Sequence, residues 1–241
     1  MKGFIHAHSK YSYDSNNGID QIIDKALEHQ LDFVILTDHE NIDGSVELRK
    51  RIKERNLNLI APIAAEYKTE FGDIIAAFIQ EEIIDMRFTN FVNEVKRQDG
   101  LLMLPHPYQS HPITKLDYIA TKMDIIEIYN SRCSTDQDSK AKNLALNLGK
   151  PYYYGSDAHL KNELCNVIIS LEVEDAEENS LKEALQNNKI RLVSKDKIYL
   201  RGFRFSQIIK SVKTRRLQIF YNNVIALIID AIRFGWNKKI E

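Results

Sequence analysis

Across the first 196 residues, short apolar runs alternate with stretches of helical period. The apolar runs fall at 3–8, 31–37, 57–65, 73–79, 101–105, 124–129 and 151–155, with helical stretches at 19–29, 44–55, 81–98 and 135–148. Strand, helix, strand at this spacing predicts βα units and a mostly parallel sheet. No internal repeat or low-complexity linker interrupts the series. Beyond residue 196 the pattern changes: seven cations cluster in 197–216, and 217–229 reads as a strongly apolar helix. This divides the chain into a unit at 1–195 and a basic, apolar helical extension at 196–241.

Polar residues close the apolar runs in a non-random way. The first run ends in His6-Ala7-His8, with Asp14 in the loop beyond; successive strand residues alternate faces, so the two imidazoles project together. The run at 31–37 ends in Asp38-His39, that at 57–65 in Glu66, that at 101–105 in His106, and that at 151–155 leads to Asp157-Ala158-His159. In a βα barrel the C-terminal strand ends converge on one mouth. Five of the seven histidines stand at such ends, leaving His29 and His111. His6, His8, Asp14, His39, Glu66, His106, Asp157 and His159 together are the donor types of a transition-metal cluster.

In this order, His6-Ala-His8 with Asp14, Thr37-Asp38-His39, Glu66, Pro105-His106-Pro107 and Ser156-Asp157-Ala158-His159 resemble the motifs of the PHP (polymerase and histidinol phosphatase) family. The resemblance covers roughly residues 1–195. The stretch Asp124-Ile-Ile-Glu127-Ile-Tyr-Asn130-Ser-Arg132 is similar to small stand-alone metal-dependent phosphoesterases of that family. The resemblance implies an α/β fold, a distorted seven-stranded (β/α) barrel, holding two or three divalent metals. By motif position, His6, His8, Glu66 and Asp157 hold the first ion. Glu66 bridges to a second that His106 also binds, and Asp14, His39 and His159 hold the third. Some relatives add a histidine for the second ion after the bridging glutamate; here 71–78 has none, Ile75 stands near the expected place, and Glu127 or Cys133 are substitutes to consider.

A mixed imidazole and carboxylate shell suits zinc, manganese or iron better than magnesium. Two ions sharing Glu66 would lie about 3.5–4 Å apart and generate a hydroxide nucleophile. The expected reaction is hydrolysis of a phosphate mono- or diester by that metal-bound hydroxide, with Glu66 and Asp157 at its centre. Arg132 is a candidate phosphate clamp, and Asp38, Asp157 or a third-metal water a candidate proton source. Lys10, Tyr11, Tyr108 and His111 follow ligand strands and are candidates to shape the pocket. Two alternatives stay open: hydrolysis of C–N or C–O bonds on the same barrel, and an inactive metal-binding regulatory module. No phosphate loop, Gly-x-Gly-x-x-Gly or nucleophile elbow occurs.

Composition adds the rest. The 241 residues are 44% hydrophobic and 28% charged, ordinary for a globular protein. Two cysteines, Cys133 and Cys165, form no disulfide framework, and no signal peptide is read at the N-terminus, so a cytoplasmic setting is expected. The net charge of −1 hides an asymmetry, since 197–241 holds ten basic residues against Asp230 and Glu241. The expected substrate is a phosphorylated small molecule or short oligonucleotide. For the tail, packing into a homo-oligomer or on the barrel stands beside contact with a membrane surface or nucleic acid. Its apolar stretch, broken by Gln218, Asn222 and Asn223, reads as too short to span a bilayer.

Overall fold

The computed structural model describes residues 1–241. Its strands are β1 (Lys2–Ile5), β2 (Phe33–Ile35), β3 (Ala64–Thr69), β4 (Gly72–Ala77), β5 (Leu101–Leu104), β6 (Ile125–Asn130), β7 (Tyr152–Gly155), β8 (Val167–Leu171) and β9 (Ile190–Lys195). Between and after them lie α1 (Ile19–Glu28), α2 (Asp43–Glu54), α3 (Phe88–Arg97), the short α4 (Pro107–Ser110), α5 (Leu116–Lys122), α6 (Thr135–Asn147), α7 (Glu178–Gln186), α8 (Leu200–Lys213) and α9 (Leu217–Phe234). The fold is mixed α/β, and its strands form two sheets, ordered β2-β1-β8-β9 and β3-β4-β5-β6-β7.

The sheets are mixed where a mostly parallel one was expected. β1 with β2, β5 with β6, and β6 with β7 pair in parallel. β4 runs antiparallel to both of its neighbours, β3 and β5. The reason is local: only Glu70 and Phe71 separate β3 from β4, which leaves room for a hairpin and none for a crossover helix. Gly72 supplies the positive φ of 114° with which β4 leaves that turn. The apolar run at 57–65 is largely outside regular strand, touching β2 only where Ile60 bridges Phe33. β8, β9, α5 and α7 complete the layers and lacked a clear periodic signal.

Apolar faces explain the packing. α1 buries Ile19, Ile22, Ile23 and Ala26, the i, i+3, i+4, i+7 stripe of an amphipathic helix, against Phe4, Val34 and Leu36 of the strands. α6 starts at Ser134, whose hydroxyl accepts from the Gln137 amide while the Gln137 side chain accepts from the Ser134 N–H. The strands' apolar side chains fill the interior, Ile75 among them.

The sheets meet along two seams, and both carry candidate ligands. On one, Ala7 bridges Ala158 and the His8 N–H donates to Ala158 O at 2.8 Å; on the other, His39 bridges Glu66. His6 and Asp157, just past the ends of β1 and β7, take left-handed backbone angles, φ 66° and 47°. After β9, α8 and α9 form a hairpin held by Arg204 Nε to Asp230 Oδ2 at 2.8 Å.

Candidate metal centre

Six of the eight expected residues, Asp14, His39, Glu66, His106, Asp157 and His159, line one polar cavity, and His6 and His8 lie fully buried against them. Three groups of donor atoms form there: His6, His8 and Asp157; His6, Glu66 and His106; and His8, Asp14, His39 and His159. His6 Nε2 lies 3.4 Å from Glu66 Oε2 and 3.6 Å from Asp157 Oδ1; His8 Nε2 lies 3.5 and 3.3 Å from the same two oxygens. Ligands about 2.0–2.1 Å from a tetrahedral ion sit about 3.4 Å apart, so this quartet has the spacing of a coordination shell. Glu66 faces two ways, with its Oε1 3.0 Å from His106 Nε2. Asp14 also divides its oxygens, Oδ2 at 3.3 Å from His39 Nε2 and Oδ1 at 3.4 Å from His159 Nε2.

The outer ring nitrogens are tied to the protein. His6 Nδ1 lies 2.9 Å from Glu127 Oε1, His106 Nδ1 3.0 Å from Ser110 Oγ, and His159 Nδ1 2.9 Å from Asp157 O. A carboxylate or carbonyl partner fixes His6 and His159 as Nδ1–H tautomers, with the Nε2 lone pair aimed inward. His8 Nε2 is buried and has no hydrogen-bond partner at all. An imidazole lone pair without a donor, ringed by carboxylates and histidines, is suited to a divalent cation. The residues present therefore fit divalent metals.

The electrostatics agree. Burial and the neighbouring His159 and His39 push the His8 imidazole down to about 3, so it is neutral and ready to ligate. Burial also opposes charge on His39, yet Glu66 and Asp14 raise it to about 9. His106 rises likewise to about 9, the Glu66 carboxylate overcoming burial. His6 stands well above its usual range, burial outweighed by Glu127, Asp157 and Glu66. Burial pushes Asp14, Glu66 and Asp157 the other way from their histidine neighbours, and the histidines win, holding all three below the usual carboxylate range. Acids packed this tightly against imidazoles need positive charge, from protons or from metal.

Backbone strain concentrates here as well. His6, His106 and Asp157 are all at positive φ, a costly conformation for non-glycine residues that clusters at functional sites. Gly155 is required by close approach, because a Cβ there would overlap Glu127 Oε1.

Several side chains play parts the sequence does not announce. Glu127 ligates nothing in the donor groups; it accepts from His6 Nδ1, from the His106 N–H at 2.6 Å and from Asn130 Nδ2 at 2.9 Å. Cys133, the other suggested substitute, donates to Gln109 Oε1. Asp73, from β4, lines the cavity where a further histidine was sought, while Ile75 is in the core. Arg132 lines the cavity too, and three of its five N–H groups are engaged, by Asp157 O (2.7 Å), Ser206 Oγ (3.0 Å) and Glu163 Oε2 (2.7 Å). It braces the site against α8, a role that its sequence reading as a phosphate clamp did not include. Asp38 is bound to the Ser9 N–H and hydroxyl and lies outside the cavity lining. His111 is drawn under β4, with Nε2 2.7 Å from Asp73 O.

The cavity, about 170 Å³, is roofed by α8 through Phe203, Gln207 and Lys210. Lys210 Nζ sits 4.4 Å from the Tyr13 ring centre, and Tyr13 stacks on His39 at 4.6 Å. Lys213 Nζ donates to Lys10 O, Ser12 O and Ser15 O, clasping α8 to the loop that carries Asp14. Gly202 lets α8 lie directly on Glu163.

With fold and ligand shell in place, the class is that of a metal-binding PHP-type α/β protein. The PHP domain family model matches residues 5–233, and the chain belongs to that family. An uncharacterised protein of Methanocaldococcus jannaschii is 32% identical over 161 residues, which are 61% of this chain and 90% of that protein. A two-domain protein of Bacteroides vulgatus containing a predicted PHP-like metal-dependent phosphoesterase superposes with a TM-score of 0.65 at 18% identity, covering 81% of this chain and 65% of that one. An amidohydrolase of Chromobacterium violaceum, with bound sulfate, superposes with a TM-score of 0.58 at 13% identity, over 79% of this chain and 97% of the other. At these identities the structural likeness is one of fold.

Proposed function

We propose that the protein is a metal-dependent phosphoesterase with two to three zinc, manganese or iron ions, and that its two sheets, joined at their seams, act as one distorted seven-stranded barrel. The observation that carries this reading is Glu66, whose two oxygens address separate nitrogen donors, His6 and His8 on one side and His106 on the other. A carboxylate so placed suits a pair of ions. When bound, the ions would lower the pKa of water toward neutrality and neutralise phosphate oxygens.

The chain's own residues then have definable work. Asp14, Glu66 and Asp157 hold the ligand shell anionic, and Glu127, Ser110 and Asp157 O orient three imidazoles. Lys68 and Lys210 line the cavity and supply positive charge for a phosphate that the ligand carboxylates would repel. Tyr13, its phenol pushed up by burial and by Asp14, keeps its proton and offers a hydrogen bond to the leaving oxygen. Asp157, held below the usual carboxylate range, carries no proton to give, and Asp38 is outside the cavity lining. A small chamber roofed by α8 suits a terminal phosphate on a small molecule better than a nucleic-acid strand.

The test is turnover of p-nitrophenyl phosphate, its bis-ester and an amide panel by protein reloaded with Mn²⁺ or Zn²⁺. Chelator-sensitive release from the monoester is the expected result. Hydrolysis confined to amides, or no turnover with a filled site, would overturn the reading.

A further inference from the structure

α9 is unusual among the helices because none of its residues is buried. Its inner face rests on α8, and its outer face carries Leu217, Tyr221, Ile225, Ile228 and Ile232, spaced by four, four, three and four residues. That spacing keeps them on one side of a helix. Together with Ile229 they are 41–79% exposed, and Phe234 and Trp236 extend the apolar strip past the helix end. An apolar patch this long on a globular surface marks a contact site.

The charges around the strip select its occupant. Arg215 and Arg216 stand before the helix and Arg233 near its end, all exposed and without an ion pair in the chain. Other cations nearby are already engaged: Arg204 by Asp230, Lys238 by Glu241, Lys239 by Asp196, and Arg201 by the Trp236 carbonyl. No other carboxylate occurs between 197 and 240. A second copy is therefore a poor partner. Antiparallel pairing about Ile225 brings Arg233 beside Leu217 and Arg216 of the second copy, and parallel pairing sets each arginine against itself. Neither arrangement offers a carboxylate in return. Spanning a bilayer is equally ill-suited. The 18-residue helix is long and apolar enough for a span, but it carries Gln218, Asn222 and Asn223 and its Asp230 is tied to Arg204 on α8. An anionic interface satisfies both features at once: the strip buries in the acyl boundary, aromatic residues sit at headgroup level, and the arginines meet lipid phosphates.

We propose that the outer face of α9 is a peripheral docking surface for an anionic lipid membrane, with α8 between the lipid and the catalytic cavity. Each free arginine contributes about fivefold to partitioning onto such a surface. The experiment is co-sedimentation of the full chain with phosphatidylcholine vesicles holding about 30% phosphatidylserine, and with pure phosphatidylcholine, at about 0.1 M and about 0.5 M NaCl. Expected is binding to the anionic vesicles alone, weakened at least about tenfold by high salt. Ile225→Asp with Ile228→Asp, and separately Arg215→Glu with Arg216→Glu, should each weaken it at least about tenfold, with unchanged circular dichroism. Equal binding to neutral vesicles would overturn the electrostatic half, and resistance to carbonate extraction would indicate insertion instead. Salt-sensitive binding to duplex DNA without vesicle binding would reassign the surface to nucleic acid. A dimer in sedimentation velocity that Ile225→Asp dissolves, without vesicle binding, would reassign it to a second copy. No binding in any format by the wild-type monomer would refute the proposal outright.

Discussion

Replacing Glu127 by glutamine separates a supporting role from a ligating one. The carboxylate is buried and holds three donors: Oε1 faces His6 Nδ1, and Oε2 takes the His106 N–H and Asn130 Nδ2. A glutamine of the same shape keeps only one acceptor. If its oxygen stays with His106 and Asn130, its NH2 points at His6 Nδ1, which must then become the acceptor. The imidazole proton moves to Nε2, where a lone pair is required to meet the metal between Glu66 and Asp157. Loss of an outer-shell partner of this kind lowers metal affinity about 10–100-fold, or about 1.4–2.7 kcal/mol. The lost hydrogen bond to a charged acceptor, about 1.5–3 kcal/mol, is of the same size. Zinc affinity measured by competition with a chromophoric chelator is the assay, with thermal melts in chelator to show that the metal-free fold survives. An affinity within about twofold of wild type would refute the assignment of His6 orientation to Glu127.

Three other outcomes follow from the same geometry. Arg132→Met leaves Glu163 as a buried unpaired carboxylate beneath α8 and should cost about 3–5 kcal/mol in urea unfolding; a change under about 1 kcal/mol would mean the pair is idle. Lys210→Ala should raise KM for a phosphorylated substrate about tenfold while metal content stays constant; unchanged kinetics would remove α8 from the substrate site. In the metal-free chain His6, His39 and His106 titrate above their usual range, so near neutral pH they hold protons that a metal must displace. Metal affinity should fall as pH drops, and calorimetric heats should differ between buffers of unlike ionisation enthalpy; buffer-independent heats would contradict this.

The candidate ligand set was legible in the sequence because every member but Asp14 stands at or just past the end of an apolar run, although Glu66 proves to lie within β3 and not at a strand end. His6 and His8 project together, their ring centres 5.4 Å apart. What the pattern hid was tertiary. Glu127 and Asp73 read like any strand carboxylate, since which face a residue presents depends on register, and Glu127 proved to orient ligands. Arg132 followed a strand end and suggested substrate, but Glu163 and Ser206 come from far along the chain to claim it. The antiparallel β3–β4 hairpin was masked by two runs that each look like a βα strand. α8 read as the start of a separate tail, though Ser206, Lys210 and Lys213 face the site; a helix's inward face cannot be told when its apolar and basic residues are mixed.

The central claim is that these eight side chains hold metal. Crystals of protein reconstituted with Zn²⁺ or Mn²⁺, measured at the metal absorption edge, test it directly. The account predicts an anomalous peak within about 2.0–2.3 Å of His6 Nε2, His8 Nε2, Glu66 and Asp157. A second peak should lie between Glu66 and His106, with a third beside Asp14, His39 and His159. Crystals grown in excess metal that show no peak in this cavity would contradict it.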